Sequence, residues 1–161
     1  MVFALDDSMN FKIRRDNLSG ADVQALVQDH ITEMLSDAPI DSVHALPLDS
    51  LRKPEVTFWS AWHQGELSGC GALLELDGAH GEIKSMRTKA KFLRMGVGQA
   101  MLNRIISEAN MRGYARLSLE TGSAEAFKPA LNLYEQNGFE VCGPFGDYKH
   151  DPHSVFMTKI L

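Results

Sequence analysis

The stretch "KFLRMGVGQAML", residues 91–102, constrains this chain more than any other. Two glycines, Gly96 and Gly98, stand one residue apart, after a basic run and before an apolar pattern of helical spacing. Glycine there serves either a tight turn or a close approach of main chain to a ligand. A helix that starts at such a loop points its first N–H groups outward without intrahelical acceptors, and its dipole adds partial positive charge. An anion is the ligand that geometry suits. The side chains agree. Lys84, Arg87, Lys89, Lys91 and Arg94 fall within residues 84–94 with no acid among them, in a chain whose net charge is −5. An acidic chain is not a nucleic-acid binder held by bulk positive charge, so a local basic patch asks for a local anion. A dinucleotide fingerprint, G-x-G-x-x-G, fails at Met101, and the G-x-x-x-x-G-K-[ST] loop of nucleotide triphosphatases is absent.

The surrounding pattern supplies the context for that loop. "FKIRRDNL" from Phe11 reads as a strand. "SGADVQALVQDHITEML" reads as a helix with Ser19 as N-cap and Val23, Leu26, Val27, His30, Ile31, Met34 and Leu35 at helical spacing. Residues 36–54 hold three of the six prolines and read as an irregular connection with one short helix near 48–52. "EVTFWSAWHQ" and "GELSGCGALLELDG" form two antiparallel strands joined at Gln64-Gly65, and "GEIKSMRT" is a further strand. The helix after the glycine loop puts Val97, Met101, Leu102, Ile105, Ile106 and Ala109 on one face. It puts Gln99, Asn103, Arg104, Ser107 and Glu108 on the other and stops at Gly113. "YARLSLETG" is a strand, "AEAFKPALNLYEQNG" a shorter helix closing at Gly138, and "FEVCGPF" and "SVFMTKIL" are the last strands. The order β-α-β-β-β-α-β-α-β-β, with no repeat or linker, predicts one α/β domain over 1–161 with a mixed sheet. Two cysteines, Cys70 and Cys142, make a disulfide scaffold a poor reading and cytoplasmic residence the default. No apolar run reaches the ~20 residues of a membrane span, and the first ten residues lack signal-peptide features.

Residues 82–139 resemble the core of the GNAT (GCN5-related) superfamily of N-acetyltransferases. That family carries [QR]-x-x-G-x-[GA] between its fourth strand and the next helix, and L-Y-x-x-x-G-F at the end of a later helix. This chain has "LRMGVGQAML" and "LNLYEQNGF" at the expected distance. "EIKSMRT", "RGYARLSLETG" and "CGPF" are similar to a bacterial subgroup of small, uncharacterised members. The resemblance implies a single GNAT-type domain. Its mixed, mostly antiparallel sheet is flanked by helices and splayed between the fourth and fifth strands. It further implies an acyltransferase (EC 2.3.1.-) with acetyl-CoA as cosubstrate. The pantetheine arm would lie in the gap along Met86, Arg87 and Thr88. The pyrophosphate would sit on Arg94, Met95, Gly96, Val97, Gly98 and Gln99. The chain departs from the signature at its first position, which is Leu93, with Arg94 one place later.

Direct attack by an amine raises two proton questions. An alkyl amine of pKa about 10.4 is almost wholly protonated at pH 7, so a base or a desolvating pocket is needed. Glu82, whose separation from Gly96 resembles that of the glutamate in the histone-acetylating branch, is the first candidate. Glu120 is the second, and a water relay stays open. The leaving thiolate, near ~8.5, is only about 1.5 units from a tyrosine near ~10. Tyr134, at the tyrosine of the family's second motif, therefore suits the acid. A metal role is not expected, because His150 and His153 flank Pro152 and lack a third ligand.

The acceptor side falls to "HITEMLSDAPIDSVHAL" and "PFGDYKHDPHSVF", which bring His30, His44, Phe145, Asp147, Tyr148 and Asp151. Carboxylates beside aromatics suit a cationic amine. His30 reads more simply as a core histidine on the apolar helix face. A small-molecule primary amine is the first expectation for the acceptor. A protein or peptide amine, or a non-catalytic acyl-CoA-binding sensor, is the alternative. No nucleic-acid or membrane partner is expected, and the resemblance leaves room for a homodimer.

Overall fold

The structure, a computed structural model, describes residues 10–161. Its frame is a seven-stranded sheet in the order β1-β2-β3-β4-β5-β7-β6. The strands are β1 (Lys12–Arg15), β2 (Val56–His63), β3 (Glu66–Asp77), β4 (His80–Thr88), β5 (Arg116–Gly122), β6 (Glu140–Cys142) and β7 (Ser154–Ile160). All neighbours pair antiparallel except β4 and β5, which run parallel. The β2–β3 hairpin turns at Gln64 and Gly65, whose φ values of 49° and 78° match the two positive dihedrals of a tight hairpin turn.

Helices cover both faces. Helix α1 (Ala21–Asp37) buries Val23, Leu26 and Val27, and with the short α2 (Leu48–Leu51) packs against Phe58, Leu67 and Cys70. On the other face, α3 (Val97–Met111) inserts Val97, Met101, Leu102, Ile105 and Ala109 among Trp59, Leu73, Leu117 and Met157, and α4 (Lys128–Gln136) adds Tyr134. Gly71 of β3 is required at this contact. A side chain there would start 2.6 Å from Met101 Cγ and 2.9 Å from Met86 Sδ.

One departure from regularity shapes everything else. Cys70 stands opposite Arg87, and Ala72 opposite Lys84, so Ser85 and Met86 of β4 together face Gly71 of β3. Ser85 has φ 55°. This is a β-bulge, which bends the strand and ends regular pairing. On the other edge of β4, pairing with β5 joins 80–83 to 116–119 and goes no further, although both strands continue. The splay between the fourth and fifth strands is thus built by a bulge on the β3 side.

Two local expectations are corrected. Gly20, not Ser19, caps α1, because the Ser19 hydroxyl donates to Asn17 Oδ1 at 2.6 Å instead. Glu108 does not lie on the solvent face of α3. It is 4% exposed and accepts from Arg15 Nη2 at 2.5 Å and, more weakly, from Arg112 Nη2 at 3.4 Å. Arg112 also reaches Thr57 Oγ1, so one acidic side chain fastens the edge strand β1 and strand β2 to α3.

Burial alone would raise the Glu108 carboxyl, but the Arg15 hydrogen bond and the two guanidinium charges hold it below its usual 4.5. A depressed folded value gives stability that is full above the unfolded value and is lost as pH falls through the folded one. Glu108→Gln is expected to lose about 1–3 kcal/mol at pH 7 by urea unfolding. Its stability is also expected to fall less steeply than the parent's below pH ~4.5, where the parent protonates.

Candidate active site

Where β4 and β5 part, a cleft of about 190 Å³ runs through the sheet. Its walls are α1, the segment after it at His44 and Ala45, residues 83–87 of β4, residues 119–121 of β5, and α4 with the turn before it. Peptide groups along the parted edges face the gap instead of one another, so an extended ligand arm could complete the ladder.

Past the end of β4, and outside the residues that line the cleft, the chain enters the glycine loop. Gly96 is the N-cap of α3 with φ 90°, a conformation that side chains resist, and Arg94 is left-handed as well at 61°. No side chain caps the helix. The first N–H to bond back is that of Ala100, to Gly96 O at 3.0 Å, so the amides of Val97, Gly98 and Gln99 have no helical acceptor. Gly98 serves close approach, since a Cβ there would stand 3.2 Å from Leu133 Cδ2 of α4. Gln99 keeps its side chain out of the seat. It exchanges two hydrogen bonds with the Asn137 amide, at 2.8 and 2.9 Å. The basic run is also partly spent. Lys84 pairs with Glu82, Arg87 with Glu33 and Lys91 with Glu66. Among the described residues Lys89 and Arg94 have no carboxylate partner. The residues present fit a pyrophosphate: free first-turn amides, a backbone held open by Gly96, and two unpaired cations.

Tyr134 of α4 lines the cleft from the α3 side, packed on Phe139 at a ring distance of 5.7 Å. Its hydroxyl makes no hydrogen bond to the described residues. Burial raises the phenol well above its usual value. The phenol therefore keeps its proton at all physiological pH, and its gap to a water-exposed thiol is wider than the ordinary values suggest. A thiolate in the same dry cleft is destabilised by the same desolvation, which narrows the gap again. Phe127, in the turn before α4, also lines the cleft, its ring seated over Gly122.

The opposite side of the sheet carries a polar cluster that alternation along β4 places together. Glu82 is 3% exposed. Its Oε2 accepts from Tyr148 OH at 2.5 Å and from Lys84 Nζ at 3.2 Å. Lys84 Nζ also donates to Tyr148 OH at 2.9 Å and to His44 O at 3.0 Å, which uses all three of its protons. Burial and the Glu82 charge push the Tyr148 phenol far up, so it stays a donor. The His44 ring meets Tyr148 edge-on at 5.0 Å, and Ser42 Oγ donates to Asp151 Oδ2 at 2.5 Å. The segment after α1 and the β6–β7 loop are thereby laced over the acceptor side.

Of the acceptor-side residues, His30, His44 and Glu120 line the cleft. Phe145 and Tyr148 stand behind it, Phe145 packed on Tyr148, His80 and Phe156. His30 is not enclosed in the core. Burial, then the nearby Arg87 charge, lowers it to about 4, so it is neutral at pH 7. Among the described residues Glu120 shares no ion pair, and burial raises its carboxyl. Met86 and Arg87 line the gap. Thr88 ends β4 just beyond it.

The model of the acetyltransferase (GNAT) family matches residues 23–139. The chain belongs to the GNAT family. It is 58% identical over 149 residues to an uncharacterised N-acetyltransferase, YsnE, of Bacillus subtilis, covering 92% of this chain and 99% of that one. Among solved structures it is similar to a candidate acyl-CoA N-acyltransferase from Klebsiella pneumoniae. That likeness has a TM-score of 0.77 and 27% identity, and covers 96% of this chain and 99% of that chain. It also shares the fold of a GNAT acetyltransferase from Elizabethkingia anophelis with acetyl-CoA bound. There the TM-score is 0.66 at 19% identity, over 94% of this chain and 99% of that chain. As a GNAT protein the chain is an acyltransferase. Among its described residues no helix is long and apolar enough to cross a membrane.

Sequence reasoning missed two parts of this GNAT site. Lys84 was visible only as one cation in a basic run, yet it stands two residues from Glu82 on a strand and so shares its face. The Glu33–Arg87 pair spans 54 residues and left no local signal. The buried Lys84–Glu82 pair makes a direct test. Lys84→Met is expected to cost about 3–5 kcal/mol by urea unfolding, because Glu82 is left buried with one partner. Adding Glu82→Gln is expected to recover at least about 1 kcal/mol relative to the sum of the single changes.

Proposed function

We propose that the protein transfers an acetyl group from acetyl-CoA to the primary amine of a small molecule by direct attack, with no acyl-enzyme. The observation that carries this reading is a carboxyl and a phenol, Glu120 and Tyr134, lining one cleft where β4 and β5 part, with Glu120 in no ion pair among the described residues. Past the end of β4 the chain runs into a helix start whose first amides are free. Bound acetyl-CoA supplies the thioester, an activated acetyl carbon with a thiolate as leaving group.

The chain's residues do the rest. The amides of residues 97–99, with Lys89 and Arg94, hold the pyrophosphate. The parted edge of β4 at Met86, Arg87 and Thr88 hydrogen-bonds the pantetheine arm. A backbone N–H near Met86 faces the thioester oxygen and stabilises the negative charge that develops there. Glu120 takes a proton from the amine as its nitrogen bonds to the acetyl carbon. Tyr134 gives its proton to the sulfur as the C–S bond breaks. Glu120 is favoured over Glu82 as the base. Glu82 has an oxygen already shared by Tyr148 and Lys84, whereas Glu120 lines the cleft and has the raised affinity for a proton that a base needs. Glu82 then serves to hold Tyr148 and Lys84 beneath the acceptor.

Thiol release and product mass across a panel of amines test the reading. Tight acetyl-CoA binding without thiol release to any amine would make the protein a sensor instead. Glu120→Gln is expected to lower kcat/KM roughly a hundredfold and to remove the acidic limb of its pH profile. That limb lies above the ordinary 4.5 in the parent, since the base works only when deprotonated and burial raises its value. Tyr134→Phe is expected to lower kcat about a hundredfold while the KM for acetyl-CoA and the melting temperature hold, because the hydroxyl has no partner to lose.

A further inference from the structure

Three polar atoms on one stretch of the cleft are buried without a hydrogen-bond partner among the described residues. They are Nδ1 of His30, Oγ of Ser85 and Nε of Arg87. All three residues line the cleft, on its α1 and β4 walls. Buried polar groups are rarely left unpaired, and three together on a cavity wall form a hydrogen-bonding set that awaits a ligand.

The guanidinium of Arg87 says which ligand. Its Nη1 donates to Glu33 Oε2. In a guanidinium, Nε–H and the Nη2 proton beside it form a side-on fork, on the far side from Nη1. Glu33 thus holds the plane from one corner and leaves the fork unpaired among the described residues, its Nε buried in the cleft wall. Two parallel N–H groups at that spacing match the two oxygens of a carboxylate. Ser85 Oγ–H and a neutral His30 ring protonated at Nδ1 are donors as well. The facing wall has the opposite character. Glu120 of β5 lines it, whereas on the donors' own side Glu33 is taken up by Arg87 and Asp37 stands at the end of α1. A simple anion meets carboxylates here, while a molecule bearing both charges satisfies both walls.

We propose that the acceptor is an amino acid, its carboxylate gripped by the side-on fork of Arg87 with His30 and Ser85, its amino group turned to Glu120. The inference rests on the acetyl-transfer reading above and deepens it. Arg87 directly follows Met86, whose N–H faces the reacting carbonyl in that reading. The carboxylate is therefore held within a few bonds of the attacking nitrogen, which describes an α-amino acid better than a long-chain diamine. Met34 and Ala45, on the same side, offer an apolar surface to its side chain.

The test compares phenylalanine, methionine and leucine with phenethylamine, 3-(methylthio)propylamine and isopentylamine, which lack only the carboxylate. The parent is expected to favour the amino acids in kcat/KM by at least about thirtyfold, since a site built to hydrogen-bond a group rejects the analogue without it. Arg87→Met and the milder Arg87→Lys, which keeps the charge and loses the fork, are both expected to collapse that ratio toward one. Calorimetry adds a readout without turnover. N-acetylphenylalanine is expected to bind at least about tenfold more tightly than N-acetylphenethylamine, and His30→Ala to erase part of the difference. Should Arg87→Met not fold, Arg87→Lys and His30→Ala decide. Equal or better rates with the decarboxylated amines, or equal product affinities, overturn the carboxylate proposal and leave acetyl transfer standing. Transfer to neither series by an enzyme that binds acetyl-CoA overturns both the small-amine reading and this proposal.

Discussion

The parallel contact between β4 and β5 stops after four residue pairs, and the site exists because it stops there. A continuous sheet would satisfy those peptide groups internally and offer nothing to a ligand. The interruption is enforced from the other edge of β4, where Ser85 and Met86 crowd opposite Gly71. Gly71 in turn has no side chain because Met86 and Met101 meet above it. A packing detail on one face of the sheet thus decides where main chain is left unpaired on the edge.

The two faces then divide the chemistry. On the α3–α4 side Tyr134 sits in the apolar core cluster with Val97, Met101 and Phe139, which suits an acyl carrier whose thiolate must be kept from water. The α1 side carries Glu82, Lys84, Glu120, Tyr148 and Arg87. Burying this much charge is tolerable only because Glu82 and Lys84 neutralise each other and every Lys84 proton has an acceptor. The same hydrogen bonds draw His44 and Tyr148, from segments about a hundred residues apart, into one wall.

The fold was largely legible in the sequence, because it rests on local signals. Alternation marked the strands, helical spacing marked α1 and α3, and the glycines marked turns whose dihedrals demand them. The uncapped helix start at Gly96 was legible for the same reason, being a loop, two glycines and a helix in ten residues. Glu108 was misplaced because helical periodicity ranks a carboxylate as a surface residue and knows nothing of Arg15, 93 positions away. The partners of Glu82 and Arg87 escaped likewise. Tyr148 and Glu33 reach them from 66 and 54 residues off, across a tertiary arrangement that no spacing rule encodes.

The contact between α3 and α4 has a mechanical consequence. Gly98 lets Leu133 press against the start of α3, and the paired amides of Gln99 and Asn137 bolt the two helices together at the same level. The proposed anion seat belongs to one helix and Tyr134 to the other, so the contact ties the two together. Such a pair of helices acts as a gauge. A carrier whose arm is too short or too long for that span would present its sulfur away from the phenol, whatever its affinity for the loop.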